Sequence, residues 1–239
     1  MKKRDIRAIL FDSGKVLNEP STGNWFIPPR FFAIVDKEKY RAIDKKRIGG
    51  AFRHAQAYIS KQSWVRDEQE EFEHFLMFYR IFSDALPQLN LSGESISLLA
   101  ADMVYNYSKY RFFGDALELI PVLSKTHQLA VVSDAWPSLH SVYREAGLRR
   151  HFSSFVISTE IGVTKPHELM YKKALEELAM QPEEAVFVDD NPVNCEGARK
   201  AGIQSILLCR DWRMFWYYTF KNRSFPAVRN LKGIVNYIQ

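Results

Sequence analysis

The sequence predicts an α/β protein with a doubly wound parallel sheet and an inserted all-helical domain. Five short apolar segments, rich in β-branched or aromatic residues, have the character of strands buried on both faces. Helical patterns separate the last four segments, and that alternation is typical of a right-handed α/β sheet. Between the first and second segments, over residues 28–110, only helical periodicity is found.

Local composition indicates where each element begins and ends. The predicted strands are residues 8–11, 129–132, 155–157, 185–188 and 205–208. The predicted helices between the later strands are residues 137–146, 168–179 and 194–201. The first and third helices stop at Gly147 and Gly202, because glycine favours the left-handed position that ends a helix. The second stops before Pro182.

The long helical stretch divides the chain into two predicted domains. A chain of 239 residues is long enough for one domain with a sizeable insert. Apolar stripes at helical spacing indicate a small bundle that buries its own core. We therefore expect an α/β core formed by residues 1–19 and 111–239, and a helical cap formed by residues 20–110.

Composition limits the function classes. The net charge of +5 suits an anionic substrate, and it suits an ordinary soluble surface equally well. Beyond the Lys2-Lys3-Arg4 start there is no dense basic run and no nucleic-acid motif, so no nucleic-acid partner is expected. No apolar run approaches the ~20 residues of a membrane span, which predicts a cytoplasmic protein with no membrane partner. Cys195 and Cys209 have no zinc or disulfide spacing and are expected to be buried.

The C-terminal part contains a dense aromatic run. Such a run covers the edge of a sheet more often than it forms a partner surface, and we expect the former here. Its members are Trp212, Phe215, Trp216, Tyr217, Tyr218 and Phe220.

Acidic residues follow two of the predicted strands. Asp12 follows the first strand, and Asp189 and Asp190 follow the fourth. Parallel strands bring such residues together at the carboxyl edge, where open α/β sheets hold their ligands. A cluster of carboxylates repels itself unless a cation is bound, so a divalent metal is predicted. The structural alternative is that Asp189 or Asp190 only caps the next helix.

Two further polar groups follow the remaining strands. Ser133 follows the second strand, and Lys165 comes shortly after the third. A carboxylate, a hydroxyl, an ammonium group and an acid pair would then converge on one edge. Taken singly, Ser133 could be a helix N-cap and Lys165 a solvated loop residue.

With these residues the chain resembles the haloacid dehalogenase superfamily of aspartate-nucleophile hydrolases. The four motifs of the superfamily correspond to residues 10–17, residues 131–133, residues 162–166 with Tyr171, and residues 188–194 followed by Gly197-Ala198 and Ala201-Gly202. The helical insert lies between motifs one and two, as in the superfamily's subclass with a helical cap at that point. The resemblance implies a Rossmann-like core.

The resemblance also implies a magnesium site. Its ligands would be the carboxylates of Asp12 and Asp190 and the backbone carbonyl of Gly14. Asp189 or Asn194 would lie in the first or second coordination shell.

By the same resemblance, Asp12 would attack phosphorus and form an aspartyl-phosphate. Lys165 would neutralise both the nucleophile and the phosphate, and the Ser133 hydroxyl would hold a phosphate oxygen. Lys15 replaces the glycine usual at its position. It would either add charge beside the phosphate or point to solvent.

Gly14 departs from the pattern of most phosphatases in this superfamily, which have a general acid/base aspartate at that position. Such catalysis contributes ~10²–10⁴ in rate. The substrate could have a leaving group that scarcely needs a proton, such as an anomeric or acyl phosphate, or His54 could supply the proton. The absence of the aspartate disfavours a phosphomutase.

The leading hypothesis is a Mg²⁺-dependent phosphatase that acts on a small phosphorylated metabolite. Sugar phosphates are among the candidate substrates. Substrate choice would lie in the cap and its loops, including the Asn24-Trp25-Phe26 segment. One alternative is a weak or inactive relative that binds a ligand or partner. Another is a 2-haloacid dehalogenase, which would need no metal and would need a halide-binding arginine such as Arg30 or Arg53.

Overall fold

The structure, a computed structural model, describes residues 5–221 and 224–238. The Lys2-Lys3-Arg4 run lies outside these residues. The chain divides into two compact units. One comprises the chain up to Glu19, Phe112–Ala135 and the chain from Tyr143 onward, and the other comprises Pro20–Arg111 and Trp136–Val142.

Eight strands form two sheets within the described residues. They are β1 (Ala8–Phe11), β2 (Asn18–Pro20), β3 (Tyr110–Phe112), β4 (Gln128–Ser133), β5 (Ser154–Ile157), β6 (Ala185–Asp189), β7 (Gln204–Leu208) and β8 (Ala227–Val228). The larger sheet has the order β5-β4-β1-β6-β7-β8, and its strand pairs are parallel. Counted along the chain this is the order 3-2-1-4-5-6 of a doubly wound fold. The predicted fold class is confirmed.

The α-helices of the described residues form two groups: one lies between β2 and β3, and the other follows β3 and is interspersed with the later strands. Those between β2 and β3 are α1 (Phe31–Ile34), α2 (Lys37–Ala42), α3 (Lys45–Ile59), α4 (Glu68–Ala85) and α5 (Gly93–Tyr105). The others are α6 (Gly114–Leu123), α7 (Ser138–Glu145), α8 (Ser158–Ile161), α9 (Glu168–Leu178), α10 (Pro192–Lys200), α11 (Trp212–Trp216) and α12 (Val235–Ile238).

All five predicted strands are observed, and none differs by more than one residue at an end. The small extensions matter, because they make Ser133 the last residue of β4 and Asp189 the last residue of β6. Strands β2, β3 and β8 were not predicted, since strands of two or three residues are too short to show a hydrophobic pattern.

The α/β unit buries its sheet beneath amphipathic helices. Helix α9 shows how the sequence specifies this packing. The His167 side chain accepts a hydrogen bond from the Leu169 N–H and caps the helix. The side chains on one face of α9 pack on Leu10 and Phe187 of the central strands. Because those strands are fully buried, their end residues are held at fixed positions.

The helical unit has its own core, built mainly from α3, α4 and α5. Its centre is aromatic, with the rings of Phe52 and Phe82 4.6 Å apart and those of Phe26 and Phe78 stacked at 5.1 Å. Asp44 and Asp67 cap α3 and α4 with their side chains. The apolar stripes seen in the sequence therefore pack against one another within this unit.

The segment Trp136–Val142 belongs to the helical unit, whereas the sequence places it in the α/β core. Trp136 packs on Phe75, with ring centroids 5.3 Å apart. The Ser138 N–H and hydroxyl donate to the buried Glu71 carboxylate at 2.7 and 2.6 Å. Lys109 donates to the Ser138 hydroxyl at 2.6 Å. These contacts join residues far apart in the chain, so no local pattern signals them.

Some side chains of the aromatic run in the C-terminal part of the chain cover the sheet, and others are exposed. Phe215 and Tyr218 pack against the apolar cluster that contains Cys195, Leu207 and Cys209. Four other aromatic side chains of the run are between 45% and 55% exposed: Trp212, Trp216, Tyr217 and Phe220. Both cysteines are free and buried, as predicted.

Within the described residues, no helix combines the length and the apolar character that crossing a membrane requires.

Candidate active site

Strand register places Asp12 and Asp189 side by side at the carboxyl edge of the sheet. Phe11 pairs with Val188, and the Asp12 N–H donates to the Val188 carbonyl at 2.9 Å. Asp12 and Asp189 follow this pair on adjacent strands, and Asp190 comes next. The strand order reverses between β1 and β6, which is where doubly wound sheets bind ligands.

Three carboxylates of this edge could hold a divalent cation. One oxygen each from Asp12, Asp189 and Asp190 lie within 4.8 Å of one another. Magnesium binds oxygen at 2.0–2.1 Å, so ligands on opposite sides of the ion are about 4 Å apart. Small side-chain rotations therefore suffice, and the donor set fits Mg²⁺. Gly14 lies in the turn after β1, and its carbonyl stays a predicted ligand.

Lys165 joins two of these carboxylates. Its ammonium nitrogen lies 2.7 Å from Asp12 Oδ1 and 2.8 Å from Asp189 Oδ2, and its side chain is only 1% exposed. The Lys165 N–H donates to Asp134 Oδ1 at 2.8 Å, which fixes the loop before α9. Burial alone would lower the pKa of Lys165, but the attraction of Asp12, Asp189 and Asp134 outweighs it and raises the pKa. Lys165 is thus a buried cation and not a solvated loop residue.

Asp189 is held by further donors. It accepts hydrogen bonds from the Asn191 N–H at 2.7 Å and from the Asn194 side-chain amide at 3.1 Å. The N-cap of α10 is Asn191, whose side chain accepts from the Val193 N–H. Neither Asp189 nor Asp190 caps the helix, so their place in the cluster has no such structural explanation.

Without a bound cation, burial makes ionisation of the carboxyl groups at this edge unfavourable. It raises the pKa of Asp189 to about 7, with the like charge of Asp12 acting in the same direction and Lys165 opposing it. Burial, followed by the charge of Asp12, also raises the pKa of Asp190. Burial likewise raises the pKa of Asp134. The cation-free site therefore binds protons more readily than an unfolded chain does.

In a chelator, ionisation of Asp189 is expected to lower the free energy of unfolding as pH rises from about 4 to about 7. The pKa of Asp189 is about 7 in the folded state against 3.8 unperturbed, so the folded chain binds more protons across that window. Adding Mg²⁺ should oppose this loss, and the gain should be larger at pH 7 than at pH 5. Denaturant titrations of wild type and Asp189→Asn at several pH values, with EDTA or Mg²⁺, measure both effects; a wild-type stability that rises with pH relative to Asp189→Asn in EDTA would contradict the assignment.

Ser133 lies on the strand next to β1. It ends β4 and is 4% exposed. Helix α7 begins only at Ser138, so Ser133 is not its N-cap. Its hydroxyl is thus at the same sheet edge as Asp12, and its role toward a phosphate stays a prediction.

The turn after β1 carries Lys15 and is held by an arginine that sequence reasoning missed. The Lys15 ammonium lies 3.6 Å from Asp190 Oδ2, and its side chain is 67% exposed. Arg210 donates to the carbonyls of Lys15 and Val16 at 3.1 and 2.7 Å, and it pairs with both carboxylate oxygens of Asp115. Arg210 comes two residues after β7, so the rule applied to the other strand ends could have identified it.

Gly197 allows motif four to approach motif three. A Cβ at this position would lie 2.6 Å from Pro166 Cβ and 2.9 Å from both the Pro166 carbonyl oxygen and the Tyr171 hydroxyl. The Tyr171 hydroxyl in turn donates to the Asn194 carbonyl at 2.8 Å. Only a glycine leaves room for these contacts beside Lys165.

Replacing Gly197 by alanine should displace the loop that carries Lys165. We expect a loss of about 1–3 kcal/mol in the free energy of unfolding, because the contacts at this position are too short for a methyl group. Gly114→Ala is the matched control, since a Cβ there meets nothing within 4 Å. Urea titrations of both variants test this, and equal stabilities of the two variants would contradict it.

Other residues singled out in the sequence lie in the helical unit. His54 is an exposed residue of α3, and Arg30 and Arg53 are also exposed. Phe26 of the 24–26 segment accepts a hydrogen bond at its carbonyl from Tyr79 and packs on the unit's core. The roles suggested for these residues in proton donation, halide binding and substrate choice stay predictions.

Comparison with known proteins identifies the family. The family of haloacid dehalogenase-like hydrolases matches residues 54–208, more than half of the chain. The chain belongs to this family of hydrolases.

Three similar proteins illustrate the relationship. A glyceraldehyde 3-phosphate phosphatase of Methanopyrus kandleri is 30% identical over 213 residues, 86% of this chain and 84% of that protein. A phosphoserine phosphatase of Thermus thermophilus is 31% identical over 140 residues, 56% of this chain. The match spans 55% of the length of that phosphatase. The crystal structure of a 2-haloacid dehalogenase from Pseudomonas syringae has the same fold, with a TM-score of 0.64, 17% identity and 98% of each chain covered.

Proposed function

We propose that the protein is a Mg²⁺-dependent phosphatase that hydrolyses a small phosphorylated metabolite through an aspartyl-phosphate on Asp12. The observation that carries the proposal is the buried Lys165 bridging Asp12 and Asp189, with Asp190 alongside, at the reversal point of the sheet. The similarity to two phosphatases supports the reaction class.

Two residues beside Asp12 suit the demands of phosphoryl transfer. The reaction spreads negative charge over the equatorial phosphate oxygens, so the site must supply positive charge and hydrogen-bond donors. Lys165 is fixed within 2.7 Å of Asp12 and supplies one charge. The Ser133 hydroxyl, at the end of the neighbouring strand, would donate to a phosphate oxygen.

Magnesium would be held by Asp12, Asp190 and the Gly14 carbonyl, with Asp189 beside them. When bound, it would offset the negative charge of the phosphoryl group and of the acid cluster. Lys15, paired with Asp190, is positioned to contribute a further ammonium group to substrate binding.

The first step forms the covalent intermediate. A carboxylate oxygen of Asp12 attacks phosphorus, and the bond from phosphorus to the ester oxygen breaks with its electron pair going to the leaving group. The leaving oxygen then takes up a proton. Gly14 has no side chain to supply it, so we expect substrates whose leaving groups are stable as anions, such as anomeric, acyl or aryl phosphates.

The second step regenerates the enzyme. The oxygen of a water molecule attacks phosphorus, the bond from phosphorus to Asp12 breaks, and its electron pair returns to the carboxylate. Inorganic phosphate leaves, and the proton of the water passes to phosphate or solvent. Because Gly14 offers no base, this step is expected to be slow compared with phosphatases that have an aspartate there.

Turnover of p-nitrophenyl phosphate, with and without Mg²⁺, tests the proposal. We expect phosphate release that needs Mg²⁺ and stops with EDTA. A panel of phosphometabolites should show faster turnover of anomeric or acyl phosphates than of alkyl phosphates by tenfold or more, since the latter need a general acid. The absence of metal-dependent turnover on every member of the panel would overturn the proposal.

The same assays separate two alternatives. A 2-haloacid dehalogenase is favoured by the lack of a second carboxylate at Gly14, but its activity on 2-chloropropionate would survive EDTA. A non-catalytic relative would bind a phosphorylated ligand without turnover. The metal-compatible acid cluster favours the phosphatase over both.

A further inference from the structure

Lys15 occupies a backbone conformation that suits glycine. Its φ angle is +59°, in the left-handed region. A side chain with a Cβ is disfavoured there, whereas glycine is not. A strained residue persists only where its surroundings hold it in place, and such residues cluster at functional sites.

The surroundings of Lys15 do hold it. The Lys15 N–H donates to the Asn18 carbonyl at 2.6 Å, which closes the turn. From the other side, Arg210 donates to the Lys15 and Val16 carbonyls while its guanidinium is paired with Asp115. The Arg210 guanidinium also lies over the Phe113 ring, 3.6 Å from its centroid. The backbone of Lys15 is thus fixed by a rigid set of contacts.

This turn directs the Lys15 ammonium toward Asp190. The two charged groups are 3.6 Å apart, and the Asp190 side chain is 28% exposed. Lys165 is already committed to Asp12 and Asp189, so Asp190 has Lys15 as its ammonium partner. The carboxyl groups of Asp12, Asp189 and Asp190 therefore share two ammonium groups.

We propose that Lys15 is an internal counterion for Asp190 that competes with the divalent cation and thereby weakens metal binding at this site. The inference rests on the proposed function, because it takes Asp190 to be a ligand of the metal. A bound cation requires the Asp190 carboxylate and repels the adjacent ammonium group, so the two cannot both have their preferred contact. When the metal is bound, the Lys15 ammonium is released from Asp190 and is free to meet the substrate phosphate.

Binding of Mn²⁺ alone tests the proposal without any measurement of activity. Electron paramagnetic resonance of free Mn²⁺ gives the dissociation constant of wild-type protein and of Lys15→Met, which keeps a long side chain but loses the charge. We expect Lys15→Met to bind Mn²⁺ about three- to tenfold more tightly, the range expected for removing a partly exposed ion pair and its repulsion of the ion. Competition with Mg²⁺ extends the result to that ion.

Three further variants distinguish the effect of the Lys15 ammonium on Mn²⁺ affinity from the effects of backbone strain and of the protein's net charge. Lys15→Gly removes the ammonium and the strain and should match Lys15→Met in Mn²⁺ affinity. Lys15→Arg keeps the charge and should stay within twofold of wild type. Lys172→Met removes an exposed lysine paired with Glu168 on its own helix and should also leave the affinity unchanged.

The outcomes are distinct. Equal Mn²⁺ affinity of wild type and Lys15→Met, or tighter binding by Lys15→Gly alone, would overturn the role of Lys15 while leaving the phosphatase proposal intact. Binding that is measurable only in Lys15→Met and Lys15→Gly would support that role strongly. If neither wild type nor any variant binds Mn²⁺, both the metal site of the proposed function and this inference fail.

Discussion

Asp12→Asn is expected to abolish phosphatase turnover, lowering kcat by at least about 10⁴-fold. The amide has the shape of the carboxylate but cannot attack phosphorus to form the aspartyl-phosphate. The protein should stay folded, because the change removes one negative charge from a crowded acid cluster and leaves Lys165 its partner Asp189. Initial rates with p-nitrophenyl phosphate and urea unfolding of the same preparation measure the two effects.

A matched control is Asp36→Asn. Asp36 caps α2 from an exposed position, and asparagine is an equally good cap, so both rate and stability should be unchanged. If Asp12→Asn kept more than about 1% of the wild-type kcat, Asp12 would not be the nucleophile.

Lys165→Met is expected to lose turnover and to destabilise the protein by about 3–5 kcal/mol at neutral pH, the range found when one partner of a buried ion pair is removed. It leaves Asp189 fully buried and without an ammonium partner. Methionine fills a similar volume, so the loss reflects charge and not a cavity. Urea titrations in EDTA measure it.

The pH dependence of this loss is a second signature. Without Lys165 the pKa of Asp189 should rise further in the folded state, so the folded variant gains stability as pH falls and this carboxyl is protonated. The difference in the free energy of unfolding between wild type and Lys165→Met should therefore widen from pH 5 to pH 8.

Two variants serve as controls for this prediction. Adding Asp189→Asn to Lys165→Met should recover part of the stability, and Lys172→Met, in an exposed pair, should cost less than about 1 kcal/mol. A gap that narrows with rising pH would contradict this account.

Strand ends were the most predictive feature of the sequence. Strands buried on both faces appear as continuous apolar runs, so the first polar residue marks the sheet edge. This reasoning places Asp12, Asp189 and Asp190 together, as the structure does, because parallel register leaves little freedom to residues that follow paired strands. The apolar stripes between β2 and β3 likewise identified the helical insert.

What the sequence did not reveal depends on tertiary partners. The left-handed turn at Lys15 is held by Arg210, which lies 195 positions away in the chain. Glu71 and Ser138 are 67 positions apart, and their hydrogen bond has no periodic signature. Ser133 and Lys165 could each be read as ordinary cap or loop residues until the structure showed the end of β4 and the burial of the lysine.

The seven residues from Trp136 to Val142 have a practical consequence for protein engineering. A chimera that exchanges the helical domain by joining new sequence at positions 20 and 111 would bring in foreign helices and keep the native 136–142 segment. Ser138 would then lose the carboxylate of Glu71, and Trp136 would lose its place against Phe75. A successful transplant of the helical unit must therefore carry two pieces of the donor chain, Pro20–Arg111 and Trp136–Val142, although the insert itself is a single continuous stretch.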